Sequence, residues 1–266
     1  MFDILGFTET WLNTSIPTAD LSFDSFAIPE RKDRTGDSHG GLLLYVRDSL
    51  HYKRRADLEP QGIECIWIEV TSNHNRFLFG LFYRPPNADR VYDSTIEDSF
   101  SLAFDLGYRD VVITGDFNFN TNNTRSRATL RSLCEQFSLT QCIDQPTHFT
   151  EHSSSIIDLI LTNNPSILMT YGVGDPCLDQ NMRYHCPIFG IFNFNKPRQK
   201  PFKRHVWYYD RGDYNQLRLL AAATDWDLLS DEDVNVYAKN ITDKILEISK
   251  KCVPNKIVTI KPNEPP

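Results

Sequence analysis

Val111-Val-Ile-Thr114 runs straight into Gly115-Asp-Phe-Asn118, and this junction decides how the rest of the chain is read. Four β-branched residues in a row favour a pleated strand, and the glycine ends it. An aspartate and an asparagine two positions apart on an extended segment point to the same side, into whatever cleft lies there. A carboxylate at that place can take a proton or bind a hard metal, and a carboxamide can hold a water or a phosphate oxygen. An ordinary Asx turn would use the same two residues. The neighbouring segments therefore have to decide between the two.

Working outward, the apolar run Phe2 to Phe7 ends in Thr8-Glu-Thr-Trp-Leu12, which puts Glu9 at a strand end. Gly41 to Val46, Ile63 to Val70 and Arg76 to Tyr83 read as further strands, the second of these alternating like a sheet with one covered face. Ser94-Thr-Ile-Glu97 has the pattern of a capping box and is expected to open a helix with Ile96, Phe100 and Phe104 on one face. A second amphipathic helix is expected from Thr124 to Phe137. Ile156 to Leu161 and Pro187 to Phe194 read as strands. Asp158 lies inside the first, where a carboxylate must be paired, protonated, bound or turned to solvent. His185 stands where the second begins. Strands and helices alternate irregularly, so the expected fold is an α/β sandwich of mixed sheets with helices outside, not a pure βαβ barrel.

At 266 residues, 40% of them hydrophobic, the chain can bury a large core. No apolar run approaches the ~20 residues of a membrane-spanning helix. Met1-Phe-Asp-Ile has neither a basic nor an apolar leader region, so the expectation is an intracellular protein, nuclear or cytoplasmic, that is not secreted and contacts no membrane. Six cysteines without C-x-x-C spacing argue against a zinc knuckle or redox dithiol. A net charge of −7 excludes a generally basic, histone-like binder but not an enzyme that touches phosphate locally. The basic clusters at Arg31–Arg34, Lys53–Arg55, Arg125–Arg131 and Lys196–Arg204 read as solvated surface. Composition changes near Asn195. Residues 196–206 are expected to be a basic, proline-bearing linker, with helices from Tyr214 to Ala223 and from Asp231 to Lys251, and an extended tail after Lys261.

Glu9, Asp116, Asn118, Asp158 and His185 each flank or occupy an expected strand, and four different strands are involved. One sheet edge can gather them without any contiguous motif. Two carboxylates supply the oxygen ligands that Mg2+ or Mn2+ takes. An Asp–His pair can hydrogen-bond a phosphoryl oxygen, and Asp116 with Asn118 can position water for in-line attack. Together these residues make the equipment of a phosphodiesterase.

The ordered series Glu9-Thr-Trp-Leu, Phe82-Tyr-Arg-Pro-Pro86, Gly115-Asp-Phe-Asn118, Ile157-Asp-Leu-Ile160 and His185-Cys-Pro-Ile188 resembles the endonuclease/exonuclease/phosphatase family. Its wording is similar to the endonuclease domain of LINE-type (non-LTR) retrotransposons. That resemblance spans residues 2 to 194 and implies a DNase I-like four-layer sandwich over residues 1–195. It implies Mg2+-dependent (or Mn2+-dependent) DNA nicking, with Glu9 as metal ligand and Tyr83 on phosphate. Asp116 would handle protons, Asn118 would orient it, and Asp158 would hold His185 against the scissile phosphate. Arg84 and Asn87 are weaker phosphate candidates. Residues 207–266, with Trp207-Tyr-Tyr-Asp210 and Asp225-Trp226, resemble the connector before a reverse transcriptase, which would be a partner domain in a longer polyprotein.

Two departures set expectations of their own. Tyr184 stands where the family has an acid, and the family's first strand would precede residue 1, its loss exposing a sheet edge. Either would impair catalysis. The alternatives are a phosphoesterase of the same fold on another substrate, or a non-catalytic nucleic-acid-binding or assembly fragment.

Overall fold

The strand expected before Gly115 forms at the centre of the largest sheet. The structure is a computed structural model, and it describes residues 2–34, 36, 39–72, 75–119, 124–176, 183–194 and 202–260. Its strands in the first half are β1 Ile4–Thr8, β2 Glu30–Lys32, β3 Leu42–Val46, β4 His51–Arg54, β5 Glu64–Ser72, β6 Asn75–Tyr83 and β7 Asp110–Asp116. There follow β8 Thr140–Gln141, β9 His148–Thr150, β10 Ser154–Ser155, β11 Asp158–Thr162, β12 Leu168–Val173, β13 Arg183–His185 and β14 Ile188–Phe192. The last strands are β15 Phe202–Trp207 and β16 Asn255–Ile260. The α-helices are α1 Arg90–Phe104, α2 Thr124–Gln136, α3 Tyr214–Ala222 and α4 Val234–Cys252. The chain divides into two compact units, residues 1–197 and 198–266.

In the first unit a six-stranded mixed sheet has the order β4-β5-β6-β7-β11-β8, with β6 and β7 parallel and the other pairs antiparallel. Because side chains alternate across a strand, β5 and β6 feed two separate cores. Cys65, Trp67, Leu78 and Phe82 pack with Ile96, Phe100 and Ala103 of α1 and Leu130 and Leu133 of α2. Ile66, Ile68, Val70, Phe77, Phe79, Leu81 and Tyr83 pack with Leu42, Leu44 and Val46 of a second layer. The segment Ile63–Val70 is thus covered on both faces, not on one as its alternation suggests; the polar Glu64 and Glu69 are held there by ion pairs with arginines. Trp67, Phe82 and Phe100 meet edge to face, and the Trp67 indole N–H donates to Ser99 Oγ at 2.9 Å, so the buried polar atom is satisfied. Truncating Phe100 to alanine in such a setting costs about 3–5 kcal/mol.

The second layer consists of short sheets: β1-β3-β2, β10-β9-β13 and β12-β14. Among the described residues β1 and β14 each have one strand partner, and Phe7 of β1 is half exposed. Helix α1 begins a turn earlier than the capping-box pattern suggests. Asp89 is its cap, accepting from the Tyr92 N–H, and Ser94 sits inside the helix, donating to the Val91 carbonyl. Two of the four basic clusters read as solvated surface are ion-paired: Arg31 with Asp33, Arg54 with Glu30 and Glu59, and Arg55 with Asp57 and Glu69.

In the second unit, α3 and α4 are capped by Asp213 and Asp233, whose side chains accept from Gln216 N and Asn235 N. Phe202–Trp207, read from sequence as linker, is strand β15. It pairs antiparallel with β16, and that partner lies some fifty residues downstream, where local patterning gives no sign of it. Residues 196–201 and 261–266, the rest of the expected linker and the expected tail, lie outside the described residues, as does Cys177.

Candidate active site

Three ladders bring the candidate side chains to one end of the first unit. Tyr83, last in β6, is in register with Asp116, last in β7. Asp116 is in turn directly opposite Asp158, first in β11. His185, last in β13, pairs with His148 in β9. The Thr147 hydroxyl ties these pieces together, accepting from the backbone N–H groups of Ile157 (3.2 Å) and Asp158 (3.1 Å), while the Thr147 carbonyl accepts from Cys186 N at 2.7 Å.

Gly115 is obligatory at this junction. Its φ is +134°, and a Cβ there would lie 1.9 Å from the Phe82 carbonyl oxygen, so β6 and β7 could not close with any side chain present. Just beyond it, Asn118 adopts a left-handed backbone (φ +49°), as do Glu9 (φ +51°) and Trp11 (φ +55°) after β1. Non-glycine residues in that region cost about 1–3 kcal/mol each and persist where surrounding bonds hold them. For Asn118 those bonds are explicit. Its N–H donates to Asp116 Oδ1 (3.0 Å), and its Nδ2 donates to Asp116 Oδ2 (3.1 Å) and to the Arg84 carbonyl (2.9 Å).

His185 Nδ1 is 3.0 Å from Asp158 Oδ2. Asp116, Asp158 and His185 present ligand atoms that all lie within 4.8 Å of one another. Glu9 is exposed and joins the group through Tyr83, whose hydroxyl donates to Glu9 Oε1 at 2.5 Å. The donor set, mostly carboxylate oxygen, suits a hard divalent cation such as Mg2+ or Mn2+.

Burial and the facing Asp158 charge raise the Asp116 carboxyl well above the usual carboxylate range. For His185, burial works against the charged form. The bond to Asp158 and the charges of Asp158, Asp116 and Glu9 outweigh it, so the imidazole lies above its ordinary value. Burial and the bond to Glu9 raise the Tyr83 phenol, which keeps it a neutral donor.

Sequence reasoning missed the residues that support this group. His148 is buried, its ring 4.7 Å from that of His185 and its Nδ1 3.3 Å from Ser155 Oγ. The Tyr92 hydroxyl donates to the Tyr83 carbonyl and accepts from Glu64 N, both at 2.9 Å. Arg34, paired with the buried Glu64, lies over the Tyr83 ring at 5.4 Å. Only the adjacency of His148 to Thr147, in Pro146-Thr-His148, could have hinted at any of this.

Two expectations need correction. Arg84, a phosphate candidate, is buried: its guanidinium donates to Asp93 (2.6 Å) and to the Pro85 and Ala88 carbonyls, and it lies 4.5 Å over the Phe119 ring. All its reach is spent anchoring α1 to the loop after β6. Tyr184, expected at the metal or beside it, stacks on Phe149 with centroids 5.1 Å apart. It alternates with His185 along β13 and so faces away from the imidazole pair. Asn87 is exposed in the turn after β6.

A two-layered sheet core that ends in an acid–histidine cluster at its strand ends defines a hydrolase-type α/β sandwich. The chain belongs to the Endonuclease/Exonuclease/phosphatase family, whose model matches residues 1–180. Its fold is DNase I-like, as in two solved structures. The endonuclease domain of TRAS1, a telomere-specific non-LTR retrotransposon, is 13% identical with a TM-score of 0.54, over 65% of this chain and 83% of that one. The 3'-5' exonuclease NExo from Neisseria meningitidis is 17% identical with a TM-score of 0.53, over 72% of this chain and 90% of that one. No curated protein sequence matches the chain. Among the described residues no helix is long and apolar enough to cross a membrane.

Proposed function

We propose that the first unit is a divalent-metal-dependent phosphodiesterase that nicks DNA, of the kind carried by non-LTR retroelements. The observation that carries this reading is the Asp158–His185 pair 3.0 Å long, held within 4.8 Å of a second, buried aspartate. His185, oriented by Asp158 through Nδ1, offers Nε2–H to a non-bridging oxygen of the scissile phosphate. Tyr83 donates to the same phosphate when it releases Glu9. Asp116, with its raised affinity for protons, takes one from the attacking water and returns one to the leaving oxygen as the P–O ester bond breaks. Asn118 keeps that carboxyl aimed. Glu9, with the neighbouring carboxylates, would hold Mg2+ or Mn2+, which supplies positive charge to the phosphoryl oxygens.

DNA is favoured over a small phosphoester because the ordered motifs and residues 207–266 resemble a retroelement polyprotein, in which a reverse transcriptase would follow. Exposed Trp11, two residues from Glu9, offers an aromatic surface beside the cleft for a duplex groove or an unstacked base. Supercoiled plasmid tests the reading. Open circles should accumulate with Mg2+ and not with chelator. Hydrolysis of small phosphomonoesters with intact plasmid would favour the phosphoesterase alternative.

A further inference from the structure

The second unit carries a feature that the phosphodiesterase site does not use. Along β15, Lys203, His205 and Trp207 share one face, and Tyr209 continues the row. The His205 and Trp207 rings have centroids 4.9 Å apart with planes at 29°, and Trp207 and Tyr209 lie 6.3 Å apart at 15°. Three near-parallel rings thus form a ladder. His205 and Tyr209 are exposed, and so is Ile257, which faces His205 from β16. Charge is segregated around this ladder. Between residues 202 and 209 the charged residues are Lys203 and Arg204, and between residues 250 and 260 they are Lys250, Lys251 and Lys256. The acids of the unit fall outside both stretches. On the opposite face, Arg211 and Lys256 each approach the Tyr208 ring at 5.6 Å.

A ring ladder alone is explained by cross-strand and same-face packing within a hairpin. That account gives no reason for excluding every acid from both strands. An aromatic face whose two strands carry Lys203 and no acid matches the chemistry of an unpaired nucleic acid strand, in which bases stack on rings while phosphates meet a cation. A folded acidic peptide would meet the cations but leave the rings unused, and duplex DNA keeps its bases stacked away from them.

We propose that the β15–β16 pair is a platform for single-stranded DNA, with bases stacking on Trp207 and Tyr209 and phosphate met by Lys203 on the same face. The platform rests on the hairpin alone. Its assignment to DNA instead of RNA rests on the reading above, in which the first unit opens a DNA strand.

The test is fluorescence anisotropy on the whole chain in chelator, so that cleavage plays no part and a failed nuclease reading leaves the result interpretable. The probes are an oligothymidylate of about 12 nucleotides, the matching RNA and a duplex of equal length. Duplex binding belongs to the first unit and should stay the same in the variants that follow. Trp207→Ala and Tyr209→Ala should each weaken binding of the single DNA strand about 5- to 100-fold, with Trp207→Phe close to wild type. Lys203→Glu should flatten the fall in affinity between about 50 and about 200 mM salt. Circular dichroism melting keeps loss of folding separate from loss of binding. RNA bound more than about tenfold tighter, or folded alanine variants that bind the single strand within about twofold of wild type, would each overturn the proposal.

Discussion

Asp158 stands directly opposite Asp116 across the antiparallel ladder of β7 and β11, so two carboxylates share one face at cross-strand distance. Like charges so placed are unfavourable, and one of the pair, Asp116, is buried. The fold tolerates this at the cost of stability, which is the usual signature of a site built for chemistry.

Asp116→Asn should abolish cleavage and stabilise the metal-free protein. Because the folded carboxyl binds its proton more tightly than the unfolded one, the associated stability is complete below the ordinary value of about 3.9 and is lost as pH rises through the raised folded value. The asparagine variant removes that loss. Its melting temperature in chelator should exceed wild type at pH 8, by about 2–4 °C for each kcal/mol relieved, and the gap should close toward pH 4. A gap that stays constant with pH would show that the carboxylate pair is not its source.

The Asp158–His185 pair has the opposite chemical type but a related pH dependence. His185 is raised, so the stability that it contributes as an imidazolium is fully present below about 6.5 and disappears as pH climbs through its folded value. NMR titration of the imidazole in chelator should give a midpoint above the ordinary one, and Asp158→Asn should bring it down. Cleavage by Asp158→Asn should fall about 100-fold or more, as expected when a donor to the reacting phosphate loses the partner that orients it.

His148 should act as a positioning residue through its ring. His148→Ala should lower kcat with little change in KM, whereas His148→Phe, which keeps a flat ring against His185, should recover most of the rate. If alanine and phenylalanine behave alike, the 4.7 Å contact between the two imidazoles serves the core alone.

Much of this site was legible in the sequence because it sits at strand ends, where short-range pattern is informative. Gly115-Asp-Phe-Asn118 announced a strand with polar residues at its limit, whereas Asp158, read as lying inside a strand from Ile156 to Leu161, begins β11, and the ladder places it beside Asp116. What failed were assignments that depend on partners far along the chain. Arg84 reads as a free cation until Asp93 and the Phe119 ring are seen around it. Most of strand β15 reads as linker because its one partner among the described residues is β16, far along the chain. His148 carries no local signal, since its role comes from a strand that pairs with it 37 positions later.

Arg84 and Tyr184 give matched negative controls. Arg84→Met should destabilise the fold by about 3 kcal/mol or more, since it strands Asp93 without its partner, while the salt dependence of DNA binding stays as in wild type. Tyr184→Phe keeps the stack on Phe149 and should cleave within about twofold of wild type, because removing a hydroxyl on the strand face away from His185 changes little. A large loss in that variant would return the Tyr184 hydroxyl to the site.

The central claim is that one cleft, built from Asp116, Asp158 and His185, breaks phosphodiester bonds. Single-turnover cleavage of an end-labelled DNA duplex with Mg2+ tests it most directly, comparing wild type with His185→Ala, both checked for folding. Wild type should produce discrete cut strands that vanish with chelator, and His185→Ala should produce none above background. Folded His185→Ala cutting at the wild-type rate, or folded wild type leaving the duplex intact at every Mg2+ or Mn2+ concentration, would contradict it.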